Sequence, residues 1–281
     1  MIEVLDIGDR VETGSYRLHS RFRGALAFVR NPSASLVSVV DETKSRGPVH
    51  IMVRGLDFSH ADSLAVAPHA VYLDGAAVPI GPRSDSSLHP LDLNLTRLNR
   101  NLGVLRETLL EACGGPTRGA AFLLDESWDS AASAFDRAFA VRFRSGVERL
   151  VAGDLEGAAL IRGLGPGLTP SGDDFLAGFL LGLNALEAAG AAHVASERQS
   201  ISQVAMSRNP FSAALLNCAA EGRSIEPARS LIHSLFENSE PAVIRHTRRL
   251  AAVGASSGAD LATGLYCALK SRPGAKEGAQ A

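Results

Sequence analysis

The chain is short of lysine. Of its 28 basic residues only Lys44, Lys270 and Lys276 are lysines, and none lies between Arg54 and Leu269. A central Schiff-base lysine and the lysine of a Walker-type phosphate loop are therefore excluded. Cysteine is as sparse: Cys113, Cys218 and Cys267 stand far apart with no C-x-x-C. That argues against a disulfide framework or a zinc knuckle and fits a reducing cytosol. The eight histidines show no H-E-x-x-H or similar spacing. A net charge of −2 provides neither a basic field for nucleic acid nor an acidic tail. The longest apolar run, Phe175 to Leu186, is shorter than the roughly 20 residues that span a bilayer. The start, Met1-Ile-Glu-Val-Leu-Asp, has neither the basic nor the apolar region of a secretion signal. These absences leave an ordinary cytoplasmic chain that binds neither nucleic acid nor membrane.

What is present is one unusual stretch, Gly163-Leu164-Gly165-Pro166-Gly167-Leu168-Thr169-Pro170-Ser171-Gly172-Asp173-Asp174, followed by the apolar run. Glycine and proline make the first half a loop. The second half reads as a helix that is apolar nearly all round and hence buried. A Gly-rich loop feeding a helix N-terminus offers unpaired N–H groups at the positive end of the helix dipole, an anion site. The candidate ligand-binding positions are Gly165, Gly167, Thr169, Ser171, Gly172 and Asp174. Ser171 and Asp174 also fit a capping box, with Asp174 reaching back to its own helix start.

The pattern has an echo. Ser257-Gly258-Ala259-Asp260-Leu261-Ala262-Thr263-Gly264 repeats S-G-x-D-x-x-x-G of Ser171 to Gly178, 86 residues later at each matched position. Ser257, Gly258 and Asp260 join the candidate binding set on this ground. Asp174 matches Asp260, so both read as caps. Asp173 matches Ala259, which has no chemistry, so Asp173 is the candidate catalytic residue, as a base or a metal ligand. Gly178 and Gly182 share one helix face, and Gly264 matches Gly178. Small residues there predict that the two helices cross closely and bring their starts together.

These residues carry a resemblance. The block from Gly163 to Leu180 resembles the signature of the AllH family, associated with the oxamate carbamoyltransferase of anaerobic allantoin breakdown. Gly254 to Asp260 resembles that family's second block, usually closer to G-H-T-S-G-x-D. Ala255 and Ser256 stand here in place of its His and Thr, so no histidine role carries over. Pro210 to Leu216 resembles the helix between the blocks. The resemblance implies a subunit of a multi-protein transferase handling carbamoyl phosphate and oxamate, and assigns no catalytic residue.

In chain order, Val11 to Leu95 reads as strands. Tyr16, Leu18 and Phe22 alternate with Arg17, His19, Arg21 and Arg23. Leu36–Val40 and Val49–Val53 are β-branched runs, and Asp74-Gly75 is a type I′ hairpin turn between Val71–Leu73 and Ala76–Val78. Phe122-Leu123-Leu124 is the last strand-like run. Leu98, Leu102, Leu105 and Leu109 fall at helical spacing, with Gly114-Gly115-Pro116 as the stop. Ala131, Phe135, Ala138 and Phe139 mark another helix. Further helices follow at Asp154–Ile161, Ala191–Ser207, Phe211–Glu221, Pro227–Asn238, Pro241–Val253 and Leu261–Leu269. The fold expected is α+β: an antiparallel β barrel or sandwich over 1–95, an all-helical domain over 96–272 and a disordered tail over 273–281.

Three functions fit. The first is an enzyme subunit for carbamoyl transfer between small anions, with loop N–H groups and hydroxyls as donors and Arg162 and Arg208 as oxygen clamps. It lacks the S-x-R-T-R block of aspartate and ornithine carbamoyltransferases. The second is a non-catalytic anion-binding or assembly subunit. The third is a magnesium-dependent phosphoryl enzyme with the ion on Asp173 and Asp174, weakened by the missing lysine.

Overall fold

Short β-branched runs broken by Gly, Pro and Asp build one sheet from the first 84 residues. The structure is a computed structural model and describes residues 2–30, 35–113, 119–125, 134–191, 194–237 and 239–272. The strands are β1 (Glu3–Gly8), β2 (Gly14–Phe22), β3 (Ala25–Arg30), β4 (Ser35–Asp41), β5 (His50–Arg54), β6 (Ser63–Val66), β7 (Ala70–Leu73), β8 (Ala76–Pro79) and β9 (Arg83–Ser84). Their order across the sheet is β8-β7-β6-β2-β3-β4-β5-β1-β9. β1 also touches β8, so the sheet curls. Ile7, Leu26, Phe28, Val39, Ile51, Val53 and Val71 fill its apolar side.

The sheet departs from an antiparallel barrel or sandwich in two ways. It is single, and β4–β5 and β1–β9 pair in parallel. The alternation on β2 also fails at its end. A register shift between Leu18 and Ser20 turns the strand, and Phe22 becomes 41% exposed. The hairpin at Asp74-Gly75 forms as expected, with φ of 47° and 81°, the pair of positive angles that a type I′ turn requires. The chain divides into two compact units, Met1–Ser86 with Ser224–Glu226, and Ser87–Arg223 with the chain from Pro227 on. In the first, the Ser224 N–H donates to the Ser86 carbonyl and the Glu226 N–H to that of Arg46.

The second unit contains α1 (Leu95–Ala112), a 3₁₀ turn (Gly119–Leu124), α2 (Ala134–Val151), α3 (Glu156–Ile161), α4 (Ser171–Ala188), α5 (Ala195–Ala205), α6 (Pro210–Ala220), α7 (Glu226–Glu237), α8 (Glu240–Ala251) and α9 (Ser257–Ser271). Phe122-Leu123-Leu124 is thus a helical turn rather than a strand. The stop at 114–116, Ala131 and the tail 273–281 lie outside the described residues. The side chain of Phe135 is likewise undescribed. Among the described residues, no helix is long and apolar enough to cross a membrane.

α4 is the hub. Phe175 to Leu183 are buried without interruption, because α9, α6 and α5 pack on different sides of it. A ladder of rings holds its first turns: Phe122 to Phe143 at 6.0 Å, Phe143 to Phe175 at 5.6 Å and Phe175 to Phe179 at 6.4 Å between centroids. Edge-on and offset rings at these separations add to the burial gain.

α4 and α9 are the most extensively packed pair of helices, and their contact is reciprocal. A Cβ on Gly178 would overlap the carbonyl of Leu261, and a Cβ on Gly264 that of Phe175. Gly178 and Gly264 are matched positions of the echo, and so are Phe175 and Leu261. The two helices are therefore related by a local twofold, and glycine is required because backbone meets backbone at the crossing.

Candidate functional site

The twofold extends upstream. A Cβ on Gly172 would overlap the carbonyl of Ile161 at the end of α3, and one on Gly258 that of Leu250 at the end of α8. The Gly172 N–H donates to Leu164 O at 2.8 Å, and the Gly258 N–H to Val253 O at 3.0 Å. Thus α3–loop–α4 and α8–loop–α9 are two versions of one unit. Ile161 and Leu250, like Leu164 and Val253, are 89 residues apart, whereas the helices that follow are 86 apart. The first loop is longer by three residues, and these fall within Gly165–Pro170.

The extra length explains Asp173. Its Oδ1 accepts the Gly163 N–H at 2.7 Å, and the side chain is buried. This bond ties down the longer loop. The shorter loop before α9 needs no such tie and has Ala259 there. Asp173 thus has an architectural partner, and its carboxyl is drawn back into the loop base.

Asp174 and Asp260 do not cap their own helices. α4 begins after Pro170 and α9 after Ser256, neither with a side-chain capping bond. The carboxyls cross to the opposite helix instead. The Ser257 hydroxyl at the start of α9 favours the charged form of Asp174, and the Ser171 hydroxyl at the start of α4 that of Asp260. The capping-box spacing is present, but neither helix start has a side-chain capping bond. Thr169 joins the first pair. Its Oγ1 lies 3.1 Å from Asp174 Oδ2 and 3.2 Å from Ser257 Oγ.

The two crossed pairs differ in their surroundings. Asp260 is 0% exposed. Its Oδ1 accepts the Ala120 N–H at the start of the 3₁₀ turn. Gly119 has φ 59°, and a Cβ there would overlap this carboxyl. Burial pushes the Asp260 carboxyl up to about 6, opposed by Ala120, Ser171 and Ser256. Oδ2 nevertheless has no well-formed hydrogen bond. Asp174 is pushed up to about 7, first by burial and then by the charges of Asp260 and Asp173, against the Ser257 and Thr169 hydroxyls. Its hydroxyl partners are half-buried, not enclosed. With a pKa raised toward neutrality, Asp174 is able to give or take a proton.

Around this carboxyl lie free donors. Among the described residues, the N–H groups of Gly165, Gly167, Leu168, Thr169 and Ser171 have no partner, nor do those of Gly254, Ala255, Ser256, Ser257 and Ala259. Two helix dipoles end here. The structure therefore brings together Gly165, Gly167, Thr169, Ser171, Gly172, Asp174, Ser257, Gly258 and Asp260. Gly172 and Gly258 are the points where loop and helix backbones touch.

Of the two arginines considered as clamps, Arg162 turns away and donates to Val204 O at 2.8 Å. Arg208 is exposed and has no partner among the described residues. It stands beside Asn209, whose amide nitrogen donates to Leu168 O at 2.6 Å and whose Oδ1 caps α6. The sequence reading missed Asn209 and the Gly119-Ala120 turn. An N-cap residue followed by proline marks the first; nothing in the sequence ties Gly119 to Asp260. Among the described residues no cluster of three or more His, Cys, Asp or Glu is arranged to hold a metal ion.

No curated protein and no solved structure matches the chain. Residues 161–269, from the end of α3 through α9 and so spanning both helix starts, match the model of the family described as oxamate carbamoyltransferase subunit AllH.

Proposed function

We propose that this chain is a subunit of a carbamoyltransferase-type enzyme acting on small anionic substrates, and that the junction of the α4 and α9 starts is its substrate site. The observation that carries the reading is the pairing of opposites at one place. Unpartnered loop N–H groups and two helix dipoles suit phosphate or carboxylate oxygens. Asp174 and the Ser257 and Thr169 hydroxyls suit a carbamoyl or amide NH₂. Carbamoyl phosphate and oxamate each carry both kinds of group, and the family match spans the whole arrangement.

In this reading the loop N–H groups, with Arg208 at the rim, hold the anionic end of the substrate. Asp174 moves the proton that carbamoyl transfer to an amide nitrogen must shed. Asp173 holds the loop in shape through Gly163. Magnesium has no assigned part, because Asp173 is engaged by an N–H and Asp174 by hydroxyls. The finer assignment to oxamate, and the involvement of other protein subunits, belong to this proposal.

Calorimetry of the chain with carbamoyl phosphate and with oxamate tests it, followed by transfer assays of the chain together with the subunits that accompany it. Binding of either compound that Thr169→Val weakens at unchanged melting temperature supports the site. Wild-type affinity in that variant, or no binding of either compound, removes it.

A further inference from the structure

The two crossed Ser–Asp pairs share one geometry but not one environment. Ser171 is 4% exposed and faces Asp260, which is occupied by the Ala120 N–H. Ser257 is half-buried and reachable from solvent. It is the first residue of α9, with its hydroxyl 3.2 Å from Thr169 Oγ1, which itself donates to Asp174 Oδ2 at 3.1 Å. A serine at the first position of a helix, linked through one hydroxyl to a buried carboxylate and beside free N–H groups, has the parts of an acyl-transfer centre. The N–H groups of Ser256, Ser257 and Ala259 have no backbone partner among the described residues. Asp260, in the first turn of the same helix, keeps a fully buried Oδ2 without a well-formed bond, a second sign of a missing polar partner.

We propose that Ser257 is a nucleophile that carries the carbamoyl group as a covalent O-carbamoyl-serine intermediate, with Asp174 as its base and the N–H groups at the α9 start as its oxyanion hole. The proposal rests on the carbamoyl-transfer reading above. In the first step Ser257 Oγ attacks the carbonyl carbon of carbamoyl phosphate. The Oγ–C bond forms, the bond from that carbon to the phosphate oxygen breaks, phosphate leaves, and the hydroxyl proton passes to Asp174. In the second step the acceptor NH₂ attacks the same carbon. The N–C bond forms and the Oγ–C bond breaks. Asp174 returns its proton to Oγ and takes up the one lost by the acceptor nitrogen.

This makes the reaction ping-pong, with a modified enzyme between two half-reactions, rather than direct transfer in a ternary complex. It also separates the twin serines: Ser171 is locked into the fold, while Ser257 is available for chemistry.

The experiment uses the chain as it purifies from its source cells, with the subunits that accompany it. It is incubated with isotopically labelled carbamoyl phosphate, quenched in acid and digested, and the peptide Leu250 to Lys270 is sequenced by tandem mass spectrometry. The expected result is one carbamoyl group on Ser257. Oxamate chases it off, Ser257→Ala abolishes it, and Asp174→Asn slows its formation roughly a hundredfold or more. Labelled phosphate is also expected to exchange into carbamoyl phosphate in the absence of oxamate. Label confined to Lys44, Lys270, Lys276 or cysteines, with no exchange, overturns the intermediate. If calorimetry in the same preparation shows carbamoyl phosphate bound, that result leaves the transferase reading standing. If it shows none bound, both fall.

Discussion

The starts of α4 and α9 are built on one plan and put to two uses. Each follows a helix with a carbonyl in its last turn, Ile161 or Leu250, that touches the glycine at the second position, Gly172 or Gly258. Each places a serine first and an aspartate fourth, and each aspartate serves the other helix. They part in two features. The loop before α4 is three residues longer and needs Asp173 to fasten it. The aspartate of α9 is committed to a neighbouring turn, whereas that of α4 meets only half-buried hydroxyls. A repeated structural unit thus becomes a site when one copy remains structural and the other is left partly open.

The strongest way to break the comparison is at the crossing. Gly178→Leu forces a side chain into the Leu261 carbonyl, and Gly264→Leu does the same at Phe175. Overpacking costs about 1–3 kcal/mol when side chains can yield, and backbone yields less. Both variants are expected to lose cooperative thermal unfolding. A wild-type melting curve for either would mean that the helices do not meet there.

Next in size is the pH dependence from Asp174. Its folded pKa, about 7, lies above the unfolded value. The folded state therefore takes up a proton between about pH 4 and 7. The group favours the fold most at low pH, loses that advantage as pH rises through about 7, and is level above it. At about 1.4 kcal/mol per pKa unit, the difference is about 2–4 kcal/mol. Asp174→Asn is expected to be as stable as wild type or more so at pH 8, and to flatten the decline between about pH 4 and 7. Denaturant midpoints across that range provide the check, and an unchanged slope contradicts the assignment.

Smaller effects sharpen the difference between the twins. Ser171→Ala withdraws a hydroxyl from an enclosed carboxyl and is expected to cost about 1–3 kcal/mol. Ser257→Ala leaves Asp174 with the Thr169 hydroxyl, and is expected to cost under about 1 kcal/mol while ending transfer. Equal costs would make the two pairs equivalent. Smallest in stability is replacement of Gly165–Pro170 by the three residues Gly254-Ala255-Ser256, which removes the extra length. Its melting temperature is expected to fall by only a few degrees, with loss of carbamoyl phosphate binding by calorimetry.

Much of this junction was legible because glycine at a backbone crossing admits no substitute, so Gly178 and Gly264 keep their spacing along with the serines and aspartates around them. The upstream half was not. Ile161 and Leu250, or Leu164 and Val253, are equivalent through their carbonyls and N–H groups, which side-chain identity does not report. The spacing S-x-x-D could not tell whether a carboxyl serves its own helix start or a neighbour's, since that depends on what packs alongside. Asp173 stood out as the residue without a twin, but the reason lay in loop length. In the sheet, β-branched runs located β4 and β5 but not their parallel direction, because strand propensity is the same read either way.

The two aspartates have unequal roles, and replacing each by alanine tests this directly. Melting temperature and carbamoyl phosphate affinity are measured on both variants. Asp260→Ala orphans the Ala120 N–H and is predicted to give the larger fall in melting temperature. Asp174→Ala is predicted to melt near wild type at pH 8 and to lose carbamoyl transfer. Two variants that fall together in stability, or an Asp174→Ala protein that still transfers the carbamoyl group, would contradict it.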